Sequence, residues 1–193
     1  MAATIEPTAA EKQGAAAKAF VAVLEKLNPG DKARLKRHAG MSLEESSDVY
    51  GTFFRILPHD IRDRKRQEAY FLIATLFPLA DDAGLRNLGM TMRRMRADSN
   101  QAGLDRRMAA LLDADREQLP FRLRQLVRLA HANRVGINWS QLLHDVIRWD
   151  YQDRRVQKSW AMSYFASHDR DDPQPDAAED DSASERDDAA EDE

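Results

Sequence analysis

Arginine is the residue type whose numbers and spacing suggest chemistry. Between Arg86 and Arg134 there are 11 arginines and no lysine, against 5 acidic residues. A guanidinium is a planar fork that bonds two phosphate oxygens at once and also stacks on bases. The chemistry on offer is therefore recognition of phosphate rather than bond-making. Arg124, Arg128 and His131 stand four and seven residues apart and share one helix face. Arg93-Arg94, Arg106-Arg107 and Arg154-Arg155 with Lys158 add cations on neighbouring segments, and Lys36-Arg37 and Lys65-Arg66 carry the pattern into the first half. Taken singly, any of these could be an ordinary surface ion pair with Asp98, Asp105, Asp113, Asp115 or Glu117, and such a pair contributes only about 0–1 kcal/mol. Spread over four successive helices, the set is better explained as an extended basic surface.

Other chemistries find little support. The five histidines, His38, His59, His131, His144 and His168, form no HExxH or similar pair at metal spacing. His144-Asp145 are adjacent and so point in different directions on a helix. Asp113 and Asp115 are a carboxylate pair of the kind any acidic helical protein offers. The eight glycines are dispersed and make no phosphate-cradling loop, and the absence of cysteine removes thiolate catalysis, disulfides and cysteine zinc sites. We expect no enzyme, no metal and no cofactor. Trp139, Trp149 and Trp160 fall on apolar stripes and read as core, which favours backbone binding over base readout.

The elements that must position these residues are helices. Residues 119–149 hold two of them. Pro120 opens the first, with Leu123, Leu126, Val127 and Ala130 on one side. Asn138 caps the second, on which Trp139, Leu142, Leu143, Val146 and Trp149 recur at helical spacing. The expectation is an antiparallel hairpin with one apolar seam. Earlier, residues 11–27 suggest a helix stopped by Asn28-Pro29-Gly30, and Asp31 a cap for residues 32–39. Ser42 with Glu45 at the capping-box position suggests a helix through Leu57. Residues 69–76 are almost continuously apolar and should be a buried central helix. Leu85, Leu88, Met92 and Met95 mark a further helix, in which Gly89 permits close approach by a neighbouring backbone. Leu104, Met108, Leu111 and Leu112 mark another, and residues 151–166 the last, packing Val156, Trp160 and Tyr164. No segment alternates with strand period. The fold class is all-α, a helical bundle of two small lobes at residues 11–79 and 85–168.

Charge divides the chain. Residues 169–193 hold 13 acidic residues and 2 arginines, a net of −11, so the remaining residues 1–168 carry +7 of the overall −4. A basic body points to an anionic partner, most simply nucleic acid. The acidic tail has no Val, Leu, Ile, Met or aromatic residue, so it and residues 1–10 are expected to be disordered. The tail reads as solubilising, or as an electrostatic pseudo-ligand that covers the basic face. No apolar run approaches the roughly 20 residues of a membrane span, and the N-terminus does not look like a secretion signal. The cytoplasm is the default expectation.

The order Leu123-Arg124, Leu126-Val127-Arg128-Leu129-Ala130, Val135, Ile137-Asn138-Trp139, Leu142-Leu143, Asp145 and Trp149 resembles the CasB family. Leu104-Asp105-Arg106-Arg107-Met108 before it and Arg154-Arg155-Val156-Gln157 after it strengthen the likeness, which spans about residues 27–166. CasB is the small all-helical subunit of the type I-E CRISPR complex Cascade. The resemblance implies a two-lobed helical bundle that dimerises within the complex, contacts other Cascade subunits and guide RNA, and helps hold the displaced single-stranded DNA of the R-loop. It implies no catalytic activity. Carried over residue by residue, it places nucleic-acid contacts at Arg106, Arg107, Arg124, Arg154 and Arg155, with Lys36, Arg37, Lys65 and Arg66 as basic pairs of the first lobe. Two readings from other classes remain beside it. A free-standing helical DNA-binding regulator would use Asn138, Ser140 and Gln141 for bases. A protein-interaction adaptor would show no nucleic-acid affinity.

Overall fold

The computed structural model describes residues 9–82, 86–96 and 101–165. The described residues form nine α-helices and no strand, so the all-α expectation holds. They are α1 (Ala9–Glu25), α2 (Pro29–Arg37), α3 (Tyr50–Ile56), α4 (Arg64–Leu76), α5 (Leu88–Arg96), α6 (Gln101–Leu112), α7 (Leu119–Ala132), α8 (Trp139–Ile147) and α9 (Arg155–Phe165). The acidic tail and the loop at Asp98-Ser99-Asn100 lie outside the described residues, as do residues 1–8; Ala9 and Ala10 already belong to α1.

Short polar side chains set several helix starts. Asn138 Oδ1 accepts the Gln141 N–H at 2.9 Å and opens α8, and Asp63 caps α4 through the Arg66 N–H. α2 begins a turn earlier than the sequence suggests. Asn28, not Asp31, is its cap, and Oδ1 of Asn28 accepts the Asp31 N–H at 2.9 Å. Pro29 explains this, because a residue without an N–H loses nothing in the first helical turn. The Ser42–Glu45 box forms reciprocally, Ser42 N–H to Glu45 Oε2 at 3.1 Å and Glu45 N–H to Ser42 Oγ at 3.3 Å. These bonds from Ser42 hold the Glu45 carboxyl below the usual carboxylate range. Yet the box closes only a turn, and α3 waits until Tyr50. The Ser46 hydroxyl donates back to the Ser42 carbonyl at 2.8 Å and bonds His38, which ties this segment to the end of α2 instead of a continuing helix.

The expected hairpin of α7 and α8 does not form. α8 packs against α1 and α4, while α7 packs against α6, α5 and α4. The connection between them is diverted by residues 80–82. The Ile137 N–H donates to the Asp81 carbonyl at 2.9 Å, the Trp139 N–H to Asp82 Oδ1 at 3.2 Å, and the Trp139 indole to the Ala80 carbonyl at 3.2 Å. With its first turn fixed there, α8 runs into the core rather than back along α7. Every residue of α4 from 69 to 76 is buried, as its apolar run predicts.

The three tryptophans are core residues, as their stripes imply, and each buried indole N–H is satisfied. Trp149 donates to the Ala114 carbonyl at 2.9 Å and Trp160 to Asp145 Oδ2 at 2.7 Å. α9 is held from several sides. Gln157 donates to the Trp149 carbonyl, the Tyr164 hydroxyl donates to Asp105 at 2.6 Å, and α5 lies so close that a Cβ on Gly89 would sit 2.3 Å from the Trp160 carbonyl oxygen. Burial and the Asp105 bond push the Tyr164 phenol far above its ordinary value, and burial raises that of Tyr70. α9 starts at Arg155, four residues later than expected, because Arg154 adopts φ +49° and breaks the helical run.

Candidate nucleic-acid interface

Cations from two helices meet in a cleft of about 410 Å³ between α2 and α7. Lys36 comes from α2, and Arg124, Arg128 and His131 come from one face of α7, with Leu79 and Ala132 behind them. Among the described residues, no carboxylate and no Phe, Tyr or Trp ring lines it. Leu35 is buried, which turns Lys36 beside it outward. The aliphatic stem of Arg124 lies over Gly40, where a Cβ would stand 3.0 Å from Arg124 Cδ. Gly40 also has φ +79°, a conformation that a side chain would strain. That glycine therefore lets the end of α2 approach α7 and seats Arg124.

A second cleft of about 390 Å³ lies between the start of α5 and α9, lined by Arg86, Arg155 and Lys158 beside Ser159, Met162 and Ser163. Arg155 already gives Nε and Nη2 to Asp153 Oδ2, at 2.9 and 2.8 Å, and its guanidinium lies 5.0 Å from the Tyr151 ring centroid. Lys65 and Arg66 line a wider depression of about 710 Å³ with Arg116, but Asp60, Asp63 and Asp150 alternate with them there. Arg37, Arg94, Arg106 and Arg107 are exposed and Arg93 is half-buried; none of them lines either basic cleft. His131 and Arg86 join the clefts, although neither is among the nucleic-acid contacts carried over from the family resemblance. The i, i+7 spacing of Arg124 and His131 was the usable signal for the former.

Some arginines are structural. Arg154 Nη2 donates to the Leu112 carbonyl at the end of α6. Arg116 bonds Asp150 at 2.9 Å and the Val146 carbonyl at 3.0 Å. Arg96 stands 3.5 Å from Asp105, the acceptor of the Tyr164 hydroxyl. The ion-pair explanation thus applies to Arg96 and Arg116, and not to Arg124 and Arg128, for which the described residues supply no carboxylate partner.

One arrangement has the look of a hydrolytic triad. His38 Nδ1 is 3.1 Å from Ser46 Oγ, and its Nε2 is 3.1 Å from Asp48 Oδ2. Ser46 is fully buried and its hydroxyl hydrogen is committed to the Ser42 carbonyl, so no substrate reaches the oxygen and it has no nucleophilic role. Asp145, beside His144, is also buried and accepts from Trp160 and Gln141. Among the described residues, no group of three or more His, Asp or Glu side chains is placed to hold a metal ion, and no helix is long and apolar enough to cross a membrane.

Comparison with known proteins gives a consistent picture. The family model of the CRISPR-associated protein Cse2 matches residues 31–165. A CRISPR-associated protein Cse2 of Thermus thermophilus is 37% identical over 127 residues, which cover 61% of this chain and 72% of that protein. The crystal structure of M. ruber CasB is similar with a TM-score of 0.67 and 32% identity, covering 77% of this chain and 91% of that one. The fold also recurs in a chain of a CRISPR RNA-guided surveillance complex, with a TM-score of 0.69 over 79% of this chain and 92% of that one, at 21% identity.

Proposed function

The chain belongs to the CRISPR-associated Cse2 family, and from that membership we propose that it is a non-catalytic small subunit of a type I-E Cascade complex in the cytoplasm. In this reading it contacts other Cascade subunits and the guide RNA, pairs with a second copy inside the complex, and holds the displaced non-target strand while the R-loop is open. The observation that carries the proposal is the convergence of Lys36, Arg124, Arg128 and His131 in a cleft without a carboxylate. Cations without Phe, Tyr or Trp beside them suit phosphates rather than bases, so the binding is blind to sequence. R-loop formation is a nearly balanced strand exchange, and modest phosphate contacts to the displaced strand are enough to favour it. Exposed Arg94, Arg106 and Arg107 extend the same surface in the proposal.

The test is a titration of wild type and a Lys36→Ala/Arg124→Ala/Arg128→Ala variant with unrelated single-stranded oligonucleotides at several salt concentrations. Each single-strand phosphate contact contributes about 0.7 to the slope of log K against log salt. Losing three should lower the slope by about 2 and weaken binding about 100-fold near 0.1 M salt. An unchanged slope with intact helicity removes the cleft from the proposal. Preference for one sequence favours the regulator instead, and no binding by either protein favours the adaptor.

A further inference from the structure

We propose that the cleft between α5 and α9 is the docking site of the chain's own acidic C-terminal segment, which competes there with nucleic acid. The competition rests on the nucleic-acid reading above, extended to Arg155 and Lys158; the docking does not. Three observations lead to it. Among the described residues the cleft is lined by Arg86, Arg155 and Lys158 and by no carboxylate, and only Arg155 has a described carboxylate partner, Asp153. Residues 169–193 carry a net charge of −11, from 13 acidic residues and 2 arginines. And α9 itself connects the two, because Met162 and Ser163 line the cleft and the helix ends at Phe165, just before the acidic run begins at Asp169.

The lengths agree. Lys158 stands seven residues before Phe165, about 10 Å back along the helix at 1.5 Å per residue. The four residues from Phe165 to Asp169 span up to about 14 Å when extended, so the first carboxylates reach Lys158 without strain and later ones reach the rest of the cleft. A segment tethered this closely acts at an effective concentration of about a millimolar. Even a weak intrinsic affinity of about 100 µM then raises the apparent Kd for a competing strand about tenfold. Salt should abolish the effect, since the screening length shrinks from about 10 Å at 0.1 M to about 3 Å at 1 M.

Two measurements on the full chain test this. The sequence has no cysteine, so a nitroxide on Ser184→Cys reports the tail alone. We expect paramagnetic broadening of the Ser159, Met162 and Ser163 amide signals near 0.1 M salt, lost near 1 M salt. The second uses a variant with all 13 tail carboxylates changed to Asn or Gln at unchanged length, titrated with oligothymidine. It should bind about tenfold more tightly than wild type at low salt and within about twofold at high salt. Absent broadening with equal affinities overturns the proposal while leaving the nucleic-acid reading intact. Broadening with no oligothymidine binding by either protein supports the docking and overturns the nucleic-acid reading. Broadening with equal, measurable affinities overturns the competition.

Discussion

Replacing Gly89 by alanine tests the packing of α5 on α9 through the sign of the outcome. By helix propensity alone, alanine over glycine in this first turn of α5 should stabilise the protein by up to about 1 kcal/mol, the helix-interior value. The structure predicts the opposite. The new Cβ would lie 2.3 Å from the Trp160 carbonyl oxygen and 3.0 Å from Ser163 Cβ. Ordinary contact distances start near 3.5 Å, so the helices must part by about 1 Å. The obstacle is backbone, which cannot rotate aside as a side-chain tip does, and α9 is fixed further by Trp160 on Asp145 and Tyr164 on Asp105. Overpacking of this kind costs about 1–3 kcal/mol. Taking the upper end and subtracting the propensity gain leaves a loss of about 2 kcal/mol. The assay is urea unfolding followed by circular dichroism, in which the midpoint falls at unchanged m-value. Gly14 in α1 and Gly51 in α3 provide the contrast, since a Cβ at either would meet nothing within 4 Å. Gly14→Ala and Gly51→Ala should each stabilise by about 0.5–1 kcal/mol. If Gly89→Ala behaves as they do, the proposed approach of the two helices is wrong.

Asp145→Ala removes the acceptor of the Trp160 indole and of the Gln141 amide, and the buried unpaired N–H groups should cost about 3 kcal/mol in the same unfolding assay. Stability should also fall in alkali. The Tyr164 and Tyr70 phenols are raised above the unfolded value, so their contribution is complete below about pH 10 and is lost as pH rises beyond it, at up to about 1.4 kcal/mol per pH unit each. Tyr164→Phe should flatten that slope, and an unaltered pH dependence of unfolding would contradict the assignment. Gly40→Ala should cost about 1–2 kcal/mol through its left-handed conformation. Because the new Cβ pushes on Arg124, it should also weaken oligonucleotide binding relative to Asp145→Ala, a control destabilised at least as much.

Periodicity carried the elements whose faces are uniform. The stripe Trp139, Leu142, Leu143, Val146 and Trp149 is buried at each position, and the Asn138 cap opens its helix as spacing suggests. Sequence reasoning failed where a residue answers to a distant partner. Nothing near residues 133–137 signals that Ala80, Asp81 and Asp82 hold the chain there and keep α7 and α8 from pairing. Ser42 and Glu45 make the box that their types promise, but Ser46 bonds back to Ser42 and to His38, and the α-helix starts only at Tyr50. At the site, the i, i+4, i+7 face of α7 was legible, whereas Lys36 joined it only through the fold. Arg154 matched a basic motif and also meets the Leu112 carbonyl at the end of α6, a contact set by the fold rather than by its own type.

The placement of α8 has a consequence for synthesis. Its apolar face completes a core begun by α1 and α4, yet 71 residues separate Leu76, the end of α4, from Ile147, the end of α8. At translation rates of about 5–20 residues per second, that interval lasts about 4–14 s. Throughout it, the buried faces of the first helices have emerged without the partner that covers them. The nascent N-terminal half therefore exposes apolar surface until the ribosome delivers α8, and a chain interrupted before that point leaves those faces bare.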